Sequence, residues 1–251
     1  MKLSQGLAAI VLTMSAAAAH AEITGTVTAV SDYDFRGFTQ TSKNPAIQGS
    51  IDYSHSSGFY AGAWASNIDF GNEFYDGANV EVDLYGGFRG GDTVTYDVGL
   101  IYYTYPGAET TFGGDSLNFG EIYGSLGWKW LSGKIWYSND FGNSGDSAQY
   151  YEGNVSVPLP ANFGLTAHVG YSDGSYWSGG GEYTDYSVGL TYAIGNFTLG
   201  LKYVDGSDAK DLDDFCKGTE GLLECKDKDV FSTDARAIFS VSTTFPWAKK
   251  E

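Results

Sequence analysis

The stretch SDYDFRGFTQT, Ser31 to Thr41, sets Asp32, Asp34 and Arg36 at every second position, with Tyr33 and Phe35 between them. Two neighbouring carboxylates can act as an acid–base dyad. A row of charge on one face of an extended segment can equally be the wall of a water-filled space. Other residues capable of chemistry are few. Beyond His20, the histidines are His55 and His168. A barrel lipase or protease would need a serine near one of them; serines abound in so polar a chain, so the signal for a Ser–His mechanism is weak. The two cysteines, Cys216 and Cys225, lie close together in a polar stretch with no histidine nearby. In an exported chain they predict a local disulfide rather than a zinc site. DGSDAKDLDD, within an acidic stretch from Asp205 to Asp229, lacks the glycine an EF-hand loop needs at its sixth position. No enzyme, cofactor or metal is expected.

The elements that hold these residues are strands. Gly (35), Tyr (19) and Phe (15) are abundant among 251 residues, a composition that favours an all-β chain. The first 21 residues read as a secretory leader: Met1-Lys2, the apolar run Leu7 to Ala19, then Ala19-His20-Ala21 as a small-x-small cleavage site. The mature chain is expected to be one domain over 22–251. It has no apolar run near the ~20 residues of a membrane helix. A formal charge of −17 argues against nucleic acid, whose phosphates need cationic partners.

Period-2 alternation appears in twelve segments, about 23–40, 46–55, 59–70, 79–89, 93–104, 119–130, 134–141, 150–158, 163–172, 183–194, 197–204 and 232–245. In NVEVDLYGGFR, for example, Val80, Val82, Leu84 and Phe88 oppose Glu81, Asp83, Tyr85 and Arg89. Connections alternate between short (SHSSG, GGD, LSG, PLPAN, IGN) and long, polar and Gly-rich. This is the layout of a closed antiparallel transmembrane β-barrel of twelve strands, with short periplasmic turns and long external loops. A soluble sandwich alternates too. The barrel is favoured by the turn lengths and by rings at segment ends on the apolar side: Tyr60, Trp64, Phe70, Tyr96, Tyr102, Trp128, Trp130 and Tyr137.

Charge falls almost wholly on the other phase. The expected pore lining is Asp32, Asp34, Arg36, Asp52, Glu81, Asp83, Arg89, Asp97, Glu121, Lys129, Lys134, Glu152, His168, Asp185, Lys202 and Arg236, with Asp69, Asp140 and Asp234 in the same phase. Tyr33 and Phe35 are expected to face lipid. Lumenal rings in phase are Tyr85, Tyr103, Tyr123 and Trp136.

SDYDFRGFTQT, PAIQGSIDYSHSSGFYAGAWASNIDF, VEVDLYGGFRG and YDVGLIYYTYPG resemble the TorF family of porins, also described as the Gcw_chp family of bacterial outer-membrane proteins. The resemblance is strongest from Ser31 to about Gly107. It implies an outer-membrane barrel with a channel role and carries no catalytic residues. The expectation is therefore an outer-membrane channel for passive diffusion of small hydrophilic solutes, weakly cation-preferring because acids outnumber bases. Its partners are lipid, lipopolysaccharide and the solutes. The alternative is a receptor, adhesin or structural barrel working through acidic external loops.

Overall fold

The computed structural model describes residues 21–71, 75–110, 116–178, 181–207 and 229–247. The expected leader lies outside these residues except for Ala21, as do Cys216 and Cys225. Twelve antiparallel strands form a closed barrel: β1 (Glu22–Val30), β2 (Ala46–Ser54), β3 (Phe59–Asn67), β4 (Val80–Gly90), β5 (Val94–Thr104), β6 (Phe119–Trp128), β7 (Leu131–Ser138), β8 (Ala148–Pro158), β9 (Phe163–Asp173), β10 (Tyr183–Ile194), β11 (Phe197–Ser207) and β12 (Arg236–Phe245). Each pairs with its neighbours in sequence. β1 and β12 close the ring, in register from Gly25 opposite Phe245 to Val30 opposite Ser240. Closure leaves no unpaired edge in the barrel sheet.

The polarity of this barrel is inverted relative to a soluble sandwich. Its large apolar side chains point outward, with Leu84, Leu100, Leu126 and Val188 all about half exposed, while Glu81, Asp83, Glu121 and Asp185 are buried inside. The outward rings form two girdles. Phe59, Tyr96, Trp128, Trp130, Phe163 and Phe197 lie near the short-turn rim; Tyr102, Tyr137, Tyr171, Tyr186 and Tyr203 lie near the long-loop rim. An apolar belt of this extent between two aromatic rings suits a bilayer rather than water. No described helix is long and apolar enough to cross a membrane.

Two parts of the sequence reading are corrected. The first segment does not run to residue 40: β1 stops at Val30, and 31–45 turns inward. Eighteen extended residues are too many for a strand that needs ~9–11. Tyr60, Trp64 and Phe70 are not interface rings. The Tyr60 hydroxyl meets Asp97 and Tyr123 inside the barrel, Trp64 packs edge-on to Tyr33, and Phe70 is buried with Ile68, Ala78 and Leu117 beneath the long loops. The Tyr60 ring suits either phase because polar partners wait for its hydroxyl, and Phe70 lies past the end of β3 at Asn67, where the period no longer applies.

The inner wall is shaped by tyrosines lying flat over glycines. Tyr85 lies across Gly62, its partner in register, and Tyr123 lies across Gly99 in the same way. Tyr150 covers Gly170, where a Cβ would stand 1.9 Å from the Tyr150 hydroxyl. That hydroxyl donates to Asp185 at 2.8 Å and contacts His168 Nε2 at 2.9 Å. Gly170→Ala is therefore expected to lift Tyr150 off the wall and to cost about 1–3 kcal/mol, the usual range for overpacking. The urea midpoint of the refolded barrel measures this, and an unmoved midpoint would count against the notch.

Candidate functional site

The interior of the barrel is the place where charged groups converge. Its most specific feature grows from the segment after β1. Asp34-Phe35 pairs with Phe38-Thr39 as a small hairpin. The turn between them is Arg36-Gly37, both with positive φ (51° and 90°), as a two-residue hairpin turn requires. Gly37 is needed for a second reason, since a Cβ there would come within 2.9 Å of Asp185 Cβ on β10. The tip thus presses on the wall at β10, three strands round the ring from its root on β1.

Ion pairs pin the hairpin in place. Asp32 is 4% exposed; it accepts hydrogen bonds from the Thr39 and Thr41 hydroxyls and pairs with Arg236 Nε on β12 at 2.5 Å. Asp34 bridges Arg236 Nη2 and Lys202 Nζ on β11, each at 2.8 Å. Arg36 reaches β6, on the far side of the ring from β1, and grips Glu121 with two nitrogens at 3.0 and 2.6 Å. Its guanidinium lies over the rings of Phe35, Trp136 and Tyr150 at 4.4–5.4 Å. Its backbone carbonyl accepts from the Tyr183 hydroxyl at 3.0 Å. Tyr33 and Phe35, expected to face lipid, turn inward: Tyr33 donates to Glu81, and Phe35 packs edge-on to Tyr103. The base of the loop is tied to the last long connection by Lys43, 2.8 Å from both Asp229 and Asp234. Burial opposes the Lys43 ammonium, but these hydrogen bonds prevail and raise its pKa; Lys43 in turn is the main cause that lowers the Asp234 carboxyl.

Between the hairpin and the short-turn rim, the inward groups are more open to water. Asp52, Asp97, Lys134, Glu152 and His168 are intermediate in exposure. Asp52 accepts from Tyr85, and Asp97 from Tyr60. Lys134 Nζ sits 3.6 Å from the ring centres of both Tyr123 and Trp136. Glu152 accepts from Trp136 Nε1 at 2.8 Å and from Asn154 at 3.1 Å. His168 bridges Asp185 at 3.0 Å and Asn154 at 2.7 Å. Arg89, at the short-turn rim, donates to Ser54 and lies over Tyr60.

These side chains lie on the inner side of the strands. Lys129 does not join them: it stands in the turn between β6 and β7, exposed, with its ammonium over Trp128. Asp69, Asp140 and Asp234 fall in long connections rather than on strands. His55 sits in the first short turn, where Nδ1 contacts the Ser57 hydroxyl at 2.7 Å and accepts from the Ser57 N–H at 3.2 Å, a turn contact. Among the described residues, no group of three or more His, Cys, Asp and Glu has metal-ligating geometry. The rings at the long-loop mouth went unnoticed in the sequence. Phe38 stacks on Trp177, which packs against Phe141 and Tyr183, and Phe141 continues to Phe119. Trp177 lies in a loop, and the others lie at or near the ends of alternating segments, where period alone does not show that they meet.

The family described as "Bacterial protein of unknown function (Gcw_chp)" matches residues 14–245. No curated protein matches the chain. Among solved structures, the barrel is similar to the NanC porin at 12% identity, over 90% of this chain and 100% of that one, with a TM-score of 0.52. It is similar also to the KdgM porin in complex with disordered oligogalacturonate, at 8% identity, over 90% and 100% of the two chains, with a TM-score of 0.50. At these identities the likeness is one of fold.

Proposed function

The chain belongs to the Gcw_chp family, and we propose that it is an outer-membrane channel through which small hydrophilic solutes diffuse passively. The long loops face outward and the short turns face the periplasm. The observation that carries this reading is the interior itself: polar, partly wet, and narrowed by a hairpin held in place by ion pairs. Twelve strands lie between the eight whose interior side chains fill and the sixteen that leave an open aqueous channel. A barrel of this size with an inward hairpin is suited to a narrow, selective passage. The apolar belt is the surface for lipid, and the loop rim meets lipopolysaccharide.

The inward charges set the preference. Asp32, Asp34, Asp52, Glu81, Asp83, Asp97, Glu121, Glu152 and Asp185 outnumber Arg36, Arg89, Lys134, Lys202 and Arg236. The bases nearest the hairpin are spent on ion pairs, whereas Asp52, Asp97 and Glu152 are bonded mainly to neutral donors. Acidic linings favour cations. The KdgM porin is seen with oligogalacturonate, an acidic sugar chain. The interior here would repel such a polyanion, so its solutes are neutral or cationic. In planar bilayers under a KCl gradient, the reversal potential is expected to show weak preference for K⁺. Preference for Cl⁻ would overturn the assignment.

A further inference from the structure

Five acids of the described residues are buried to 5% exposure or less: Asp32, Glu81, Asp83, Glu121 and Asp185. Three of them face a base: Asp32 has Arg236, Glu121 has Arg36 and Asp185 has His168. The other two, Glu81 and Asp83, are neighbours on the inner face of β4 and, among the described residues, have no base within ion-pair distance. Two residues apart on one strand, they occupy successive inward positions, both buried. Glu81 Oε2 and Asp83 Oδ1 are without any hydrogen-bond partner, and they are the buried side-chain atoms so left among the described residues. A buried charge is normally paired or bound to metal, because an uncompensated one is costly to remove from water. Two adjacent carboxylates whose one neutral donor is the Tyr33 hydroxyl, 3.2 Å from Glu81, lack a positive charge.

We propose that Glu81 and Asp83 bind a hard metal cation of the calcium class, lodged between the wall and the inward hairpin. The available ligands are all oxygen: four from the carboxylates and one from Tyr33, the set that hard cations prefer. Calcium fits better than magnesium, because it accepts irregular and bidentate carboxylate geometry. With two acids rather than three or more, the affinity falls in the weak range of about 10⁻⁴–10⁻³ M. The ion neutralises the pair and fixes Tyr33, and Tyr33 belongs to the hairpin. Calcium is thus an additional pin holding the hairpin against β4, on the side where no basic residue does so.

The test measures binding and stands whether or not the barrel conducts. Refolded wild type and Glu81→Gln/Asp83→Asn are dialysed to equilibrium against radioactive calcium at about 1 mM, near the expected dissociation constant. Wild type is expected to take up more calcium than the double variant, and calcium is expected to raise its thermal midpoint more, since a ligand that binds the folded state stabilises it. The difference between the chains is the readout, because the acidic stretch 205–229 is common to both. Asp83→Asn alone serves if the double variant does not fold, and most of the difference is expected to survive in that comparison. Equal uptake and equal shifts overturn the proposal; they mean that the two carboxyl groups close over a shared proton and bind no metal.

Discussion

Arg36→Ala is expected to raise the single-channel conductance of the refolded barrel severalfold and to destabilise it by about 3–5 kcal/mol, the cost of removing one partner of a buried ion pair. The pair is well buried, with side-chain exposures of 9% for Arg36 and 1% for Glu121. Arg36 is the group by which the hairpin reaches β6; without it Glu121 keeps the Tyr103 hydroxyl at 2.9 Å as a donor but loses its counter-charge. The cost belongs mostly to that stranded carboxylate. Arg36→Ala/Glu121→Gln should therefore recover much of the stability while keeping the high conductance, since the hairpin still lacks its far anchor. This split separates the two roles of the pair. Unchanged conductance in Arg36→Ala would mean that the hairpin does not limit the passage.

Val188→Arg is expected to abolish stable insertion, whereas Ser187→Arg, one position away on β10, is expected to be tolerated. Val188 is 49% exposed in the apolar belt, and Ser187 is on the opposite phase. An arginine at mid-membrane on the lipid face costs roughly 2–4 kcal/mol, a large fraction of a marginal stability of 5–15 kcal/mol. The same side chain at 187 meets the acid-rich interior. Heat-modifiable migration of the refolded barrels, with urea midpoints, reads both variants. Equal behaviour of the two would contradict the assignment of faces.

The strands were legible because each satisfies two constraints at once. Alternation separates Leu84 from Asp83 and Val188 from Ser187, and short turns mark alternate ends. Those are local signals, and local signals survive in a sequence. The hairpin was not legible because its charges copy the alternation of a strand. Asp32, Asp34 and Arg36 continue the period of β1 past Val30, and only the excess length of the segment and the Gly37 turn argued for a break. What the hairpin does depends on partners far along the chain. Arg36 meets Glu121 across 85 residues, and Arg236 meets Asp32 across 204. No spacing rule reaches that far. The same limit applies to Glu81 and Asp83. Their inward phase could be read directly, but their lack of a base could be seen only once every other buried acid had found one. Tyr60 and Trp64 failed for a third reason: an aromatic ring with a polar edge is at home at a lipid interface and on a wet inner wall alike.

The central claim is that this barrel conducts and that the segment after its first strand narrows it. Single-channel recording of the refolded wild type, beside a variant in which residues 33–40 are replaced by a short Gly-Ser link, tests it most directly. Small, well-defined conductance steps are expected from wild type and larger ones from the variant, both weakly favouring K⁺. Steps of the same size from the two proteins, or none from either, would contradict the account.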